Sequence, residues 1–191
     1  MKKCKFTIKY KKTSVAFTLI ETLVAILILT VSVVAPLSLA SQSLFASYYA
    51  KDQVIASYLA QEGIEIVRQK RDHNLITLLR LPDPDRNDWL SGMQIPPTGS
   101  VDVILDIKNP TADFNKMVDV SDAVLKYDGH LYFHSNVSSA PNSKFRRIVH
   151  LKKISNDEIE VKAEVRWKTG SFPEQKFSIK ENLYNWLPVG L

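Results

Sequence analysis

Between Lys12 and Lys51 the chain carries one charged side chain, Glu21. Residues 15–40 are apolar apart from Thr18, Glu21, Thr22, Thr30, Ser32 and Ser38. A helix needs roughly 20 such residues to cross a bilayer, so this stretch is long enough. Six lysines precede it within residues 1–16, where no acid occurs, and nothing comparable follows it. The positive-inside bias then puts the N-terminus in the cytoplasm and residues beyond 40 outside. The formal charge of +5 belongs to this leader. The remaining 175 residues hold 19 basic and 20 acidic side chains, a net of −1. The body therefore lacks the domain-wide basic footprint of a nucleic-acid binder, and no nucleic-acid partner is expected for it. The single cysteine, Cys4, also lies in the leader. A disulfide scaffold and a zinc site of several thiolates are both excluded.

Three readings of the segment differ in what they make of Glu21. An ordinary signal peptide would use Ser38-Leu39-Ala40 as its small-residue cleavage site. Its apolar core is usually about 7–15 residues, and this one is longer. A plain signal anchor on an extracytoplasmic binding domain would treat Glu21 as incidental. A carboxylate at bilayer depth costs at least about 2.5 kcal/mol on insertion scales, so it seldom is. The third reading gives the charge a role.

The run Ser14-Val15-Ala16-Phe17-Thr18-Leu19-Ile20-Glu21-Thr22-Leu23-Val24-Ala25 resembles the processing site of type IV prepilins and pseudopilins. Both have a short basic leader, a small residue, Phe-Thr-Leu-Ile-Glu and an apolar helix. The resemblance implies that a prepilin peptidase cuts between Ala16 and Phe17 and methylates the new Phe17 amine. Glu21 becomes the fifth residue of the mature chain. It further implies other pilin subunits, an inner-membrane assembly platform and the lipid bilayer as partners. The product is a subunit of a pilus, a type II secretion pseudopilus or a related filament. The family usually has Gly before the cut, where this chain has Ala16. An unpaired carboxylate in hydrocarbon needs a cation, and the methylated Phe17 amine stays basic. Residues 17 and 21 lie one helical turn apart, so the pair could form within one helix. It could equally form between neighbouring subunits, which would set their axial register.

No Gly occurs between Phe17 and Glu62, and the only Pro is Pro36. Beyond residue 40 the pattern turns amphipathic. Leu44, Tyr48, Ile55, Leu59 and Ile66 share a face, with Gln53, Ser57, Gln61 and Arg68 opposite. Lys51 and Glu62 intrude on the apolar side, and Ile64 falls outside it. The spacing predicts a helix over 17–72, roughly 84 Å long at 1.5 Å per residue. Pro36 removes one ladder hydrogen bond, so a kink or local melting is expected there.

From residue 80 the signals change. Leu81-Pro82-Asp83-Pro84-Asp85 and Ile95-Pro96-Pro97-Thr98-Gly99 make 80–99 mostly loop. Strand-like alternation follows over 101–108. Segments 123–127 and 131–136 flank the turn dipeptide Asp128-Gly129. Another strand covers 145–154. Ile159, Val161, Ala163, Val165 and Trp167 then alternate with Glu160, Lys162, Glu164, Arg166 and Lys168, giving one buried and one wet face. A last strand opens at Phe177 and Ile179.

The expected fold is α+β. A long N-terminal helix, transmembrane in its first half, packs on a C-terminal antiparallel β-sheet, which is also the pilin architecture. The expected divisions are a leader, 1–16, that is removed, a transmembrane half, 17–40, and an amphipathic half, 41–73. A loop region, 74–99, and a sheet domain, 100–191, complete the chain. Glu62-Gly63-Ile64-Glu65-Ile66-Val67-Arg68 and Leu183-Tyr184-Asn185-Trp186 resemble minor pilins related to pilus-modification proteins.

Motifs for chemistry are sparse. His73, His130, His134 and His150 show no metal-ligand spacing and read as surface or turn histidines. No Gly-x-Ser-x-Gly, phosphate loop or acid pair beside a base occurs, so no enzyme, metal or cofactor is expected. Asp83, Asp85, Asn87 and Asp88 form an oxygen-rich cluster. It lacks the turn glycine and distal Glu of a calcium loop, so a solvated loop is expected. Asn136-Val137-Ser138 is a minimal glycosylation sequon.

Overall fold

The computed structural model describes residues 17–81, 86–108, 113–134, 139–170 and 172–186, with Arg86, Asn87, Val120 and Asp122 described by their backbone only. Among the described residues, one α-helix, α1 (Leu19–Leu78), precedes seven strands. These are β1 (Ser100–Ile104), β2 (Asn115–Lys116), β3 (Val124–Tyr127), β4 (Tyr132–Phe133), β5 (Asn142–Lys153), β6 (Glu158–Trp167) and β7 (Gln175–Tyr184). All pairings are antiparallel, and the fold is α+β. The chain divides into two compact units, Met1–Ala46 and Ser47–Leu191.

In the first unit, every described residue is exposed. Leu19, Ile26, Leu29, Val34 and Leu37 are all more than half open to their surroundings. The apolar stretch has a mean hydropathy of 2.6 over 18 residues, long and apolar enough to cross a membrane. A signal sequence satisfies the same length and composition. The α1 hydrogen-bonded helix continues through Pro36 without local melting. The missing Pro36 N–H leaves the Ser32 carbonyl without its usual ladder donor.

In the second unit, β5 is the central strand. β6 pairs along one of its edges, Arg146↔Arg166 to Lys153↔Ile159. Its other edge is shared, with β1 against residues 149–152 and β3 against residues 142–146. β7 extends the sheet beyond β6. The β5–β6 turn closes with Ser155 N–H donating to the Glu158 carbonyl at 3.1 Å. The β3–β4 turn is held by Asp128, whose Oδ1 accepts from the His130 and Leu131 amides. Gly129 supplies the positive φ, 99°, that this turn needs.

The inner rows of β5 and β6 meet α1. Phe145, Val149, Leu151, Ile159, Val161, Ala163, Val165 and Trp167 are all buried. The strict alternation over 159–167 has the expected parity, except that Glu164 on the outer row is also buried.

The face of α1 that packs is rotated from the expected one. Leu59 and Ile66 are buried, but Leu44 and Tyr48 are exposed and Ile64 is buried. The buried stripe runs through Asp52, Ala56, Ala60, Gly63, Val67, Lys70, Asn74 and Leu78. Its centre consists of small side chains because the helix lies close to the sheet. A Cβ on Gly63 would lie 3.3 Å from both Ala163 Cβ and Val149 Cγ2.

Several boundaries move. The helix ends at Leu78, so residues 74–78, expected as loop, are helical. Asn74 Nδ2 donates to the carbonyls of Trp89 and Ser91, and Leu75 and Leu78 are buried. The loop holds a 3-10 turn, Arg86–Leu90, that buries Trp89. Its indole donates to the Asn156 carbonyl at 2.9 Å. β1 stops at Ile104 instead of continuing to 108, and β4 has two residues instead of six.

The tight contact at Gly63 gives the first prediction. Gly63→Leu should destabilise the folded domain by about 3 kcal/mol, because added methylenes force rotamers and backbone apart. Urea unfolding of the variant beside the parent measures the effect.

Candidate functional site

Two places gather polar groups under apolar constraint. The first is the start of α1. Thr18 caps the helix, with its carbonyl accepting from the Glu21 and Thr22 amides at 3.1 and 3.2 Å. Its hydroxyl accepts from Glu21 N–H at 3.3 Å. Thr-x-x-Glu is the spacing of a capping box, and an acid in the first turn also meets the positive end of the helix dipole. Thr22, Thr30 and Ser32 donate their hydroxyls to carbonyls three residues back. Such bonds satisfy hydroxyls inside lipid. Glu21 alone keeps a charged group without a side-chain partner on this helix segment. Phe17 lies one turn before it, and both are exposed. The other expected cleavage residue, Ala16, lies outside the described residues, as does Cys4.

The second place is beneath α1. Arg147 stands on the inner row of β5, and its side chain is fully buried. Its Nη1 donates to the Glu62 carboxylate and, at 3.3 Å, to the Leu59 carbonyl. Nη2 donates to the Leu105 carbonyl at 3.3 Å, while Nε has no partner among the described residues. Burial pulls the guanidinium pKa down from its ordinary value, and the Glu62 carboxylate opposes this.

Beside it lies His134, only 7% exposed, which corrects the expectation of a surface histidine. Its Nδ1 is 2.9 Å from the Leu105 carbonyl, and its Nε2 is 3.2 Å from that of Ala123. A neutral imidazole has one N–H, so it donates to only one of them. Burial pushes the His134 pKa down, and the Arg147 charge adds to this. The two carbonyls and Asp106 pull the other way and lose.

His150 is not a bare surface group either, because it pairs with Asp102 across β1 and β5. His73 and His130 are exposed, as expected. His130 and His134 do not come together, because one sits on the turn and the other in the interior.

Three further pairs join α1 to the rest of this unit. Asp52, 2% exposed, accepts from Lys144 and from the Thr169 hydroxyl, each at 2.6 Å. Arg68 donates to Glu181 at 2.7 and 2.9 Å. Buried Lys70 holds Asp113 at 3.1 Å. On the outer face, burial pushes the Glu164 pKa up, but hydrogen bonds from Lys162 and Arg166 outweigh it and hold the carboxyl below its ordinary range.

Among the described residues, no group of three or more His, Cys, Asp or Glu side chains could hold a metal. Asp83 and Asp85 of the oxygen-rich cluster lie outside the described residues, and so does Asn136-Val137-Ser138. Asp88 is exposed. The arrangement beneath α1 ties the helix to β5 and to the chain after β1. No protein-family model, curated protein or solved structure matches the chain.

Two predictions follow from the buried cluster. Glu62→Ala should cost about 3 kcal/mol, because it strands a buried guanidinium. The double variant Glu62→Leu, Arg147→Met should be more stable than Glu62→Ala, since it buries no lone charge. Urea midpoints of the two variants decide this.

His134 predicts a pH effect. Its folded-state pKa is lowered, so the unfolded chain takes up a proton first, near the ordinary value of about 6.5. Stability should therefore fall as pH drops through that range toward the folded-state pKa. In His134→Gln, melting temperature should vary less between pH 7 and 5 than in the parent.

Proposed function

We propose that this chain is a subunit of a type IV pilus or a related pseudopilus, of the minor-pilin kind. A prepilin peptidase cuts it before Phe17 and methylates the new amine, and the mature chain assembles into a filament at the cell surface. One observation carries this reading. The Phe-Thr-Leu-Ile-Glu motif coincides with the start of α1, and its Glu21 is the one charged side chain of an otherwise apolar stretch.

The chemistry of that carboxylate supports the assignment. In hydrocarbon it needs a cation, and cleavage before Phe17 creates one a helical turn away. The same amine on a neighbouring chain would tie the two subunits at a fixed axial offset. The α+β domain supports the reading by architecture alone, a helix packed on an antiparallel sheet. A fold by itself does not fix a function. In this reading no residue of the domain is catalytic. Pro36 lies inside the apolar part of the helix, at a depth where pilins often carry a proline.

Coexpression with a prepilin peptidase tests the reading. Intact mass and N-terminal sequencing should give a chain shortened by sixteen residues and beginning at methylated Phe17. A mature chain beginning at Ser41 would establish a signal peptide, and an unchanged mass would establish a simple anchor. Replacing Ala16 with a bulky residue should block the cut. In the same system Glu21→Ala should be cleaved and inserted normally. Insertion becomes easier by roughly 2–3 kcal/mol on translocon scales. Assembly should weaken, because one side of a buried pair is lost, at about 3–5 kcal/mol. The variant should accumulate in the membrane and be absent from sheared filaments.

A further inference from the structure

The sheet of the second unit ends on β7, and no described strand lies against its far edge. β7 is ten residues long, and its register with β6 is unbroken from Glu158↔Tyr184 to Trp167↔Gln175. Long straight edges present unpaired backbone donors and acceptors, and proteins commonly blunt them with proline, bulges or charge. Here neither proline nor bulge interrupts the strand, and only charge remains.

Those charges have a pattern. Lys176 and Lys180 are exposed on the face away from α1, opposite Arg166 and Lys162 of β6. Lys180 holds Glu160 at 2.6 Å, and Lys176 has no acid partner among the described residues. On the face toward α1, Phe177 and Ile179 are half-buried and pack against the core. Glu181 on that face is taken by Arg68.

A second copy of β7 is a poor occupant. Consider antiparallel self-pairing with Ser178, Lys180 or the midpoint between them on the axis. Each register sets lysine directly opposite or diagonal to lysine, where like charges are unfavourable. An incoming strand with acids on one face and apolar residues on the other meets no such conflict. Its acids would lie across from Lys176 and Lys180, and its apolar residues would extend the core over Phe177 and Ile179.

We infer that the β7 edge receives an extended segment of another protein, alternating acidic and apolar residues, as an eighth strand. Main-chain hydrogen bonds supply the affinity of such an addition, and the alternate side chains supply its specificity. The inference concerns the sheet domain and does not depend on how the N-terminus is processed.

The test uses the full chain in detergent micelles and three capped octapeptides. One alternates valine and glutamate, one alternates valine and lysine, and one places four valines before four glutamates. The alternating acidic peptide should slow amide hydrogen exchange across 175–184 and bind more tightly than the other two. Lys176→Glu with Lys180→Glu should weaken that binding by about fivefold and transfer preference to the lysine peptide. Three outcomes would overturn the inference. These are no protection of 175–184, equal binding of the blocked and alternating acidic peptides, and protection that rises with protein concentration without peptide.

Discussion

A guanidinium removed from water must find acceptors within the fold, and Arg147 donates to three of them. Glu62 and the Leu59 carbonyl come from one turn of α1, and the Leu105 carbonyl comes from the chain just after β1. This sets where the helix can lie along β5. Gly63, one residue beyond Glu62, is where α1 comes close to Ala163 and Val149. The same Leu105 carbonyl faces His134, so the segment following β4 meets Arg147 at a shared backbone oxygen. Burying an ion pair is costly compared with packing apolar groups, but stranding either partner costs more. The pair therefore contributes more to a single helix position than to net stability.

The parity of β6 is legible in sequence because one of its faces packs on the core and the other is wet. Residues 159–167 show their parity directly, and Asp128-Gly129 announces its turn. The packed face of α1 was less legible. Its centre is Ala56, Ala60 and Gly63, which carry little hydrophobic weight, while Asp52 and Lys70 look like solvent residues. Larger apolar side chains such as Tyr48 and Leu44 dominated the periodicity and pointed elsewhere. Arg147 could have been noticed by parity, since it falls in the same row as Phe145, Val149 and Leu151. Nothing in sequence shows that Glu62, a charge on the apolar side of a helix, is its partner 85 residues away. His134 was hidden for a similar reason, because its two carbonyl neighbours lie 29 and 11 residues distant.

The N-terminal unit obeys a different constraint. Thr22, Thr30 and Ser32 bond to their own helix, and its apolar side chains are exposed among the described residues. In water such a surface is unfavourable by about 25 cal/mol for each Å² of apolar area. A bilayer or a set of similar helices removes that penalty, and neither would remove the charge on Glu21. The motif at the start of α1 thus concentrates the electrostatic requirement of this unit in one side chain, while the domain spreads its charges over several pairs.

The shared edge of β5 has a consequence for how the chain comes into being. β1 has only the two-residue β2 beside it until β5 exists, and β3 has only the two-residue β4. Both need a strand that begins at Asn142, and the cation that fastens α1 is on that strand too. A polypeptide emerging from its N-terminus therefore carries α1 and four short strands without a sheet to join. Such local pairs are marginal alone, and closing long loops is slow. β1 and β3 therefore cannot join the sheet until β5 is available. β5, β6 and β7 then form by neighbouring hairpins, and the earlier segments can settle on them. Within the domain, the last third to be synthesised is the template for the first two.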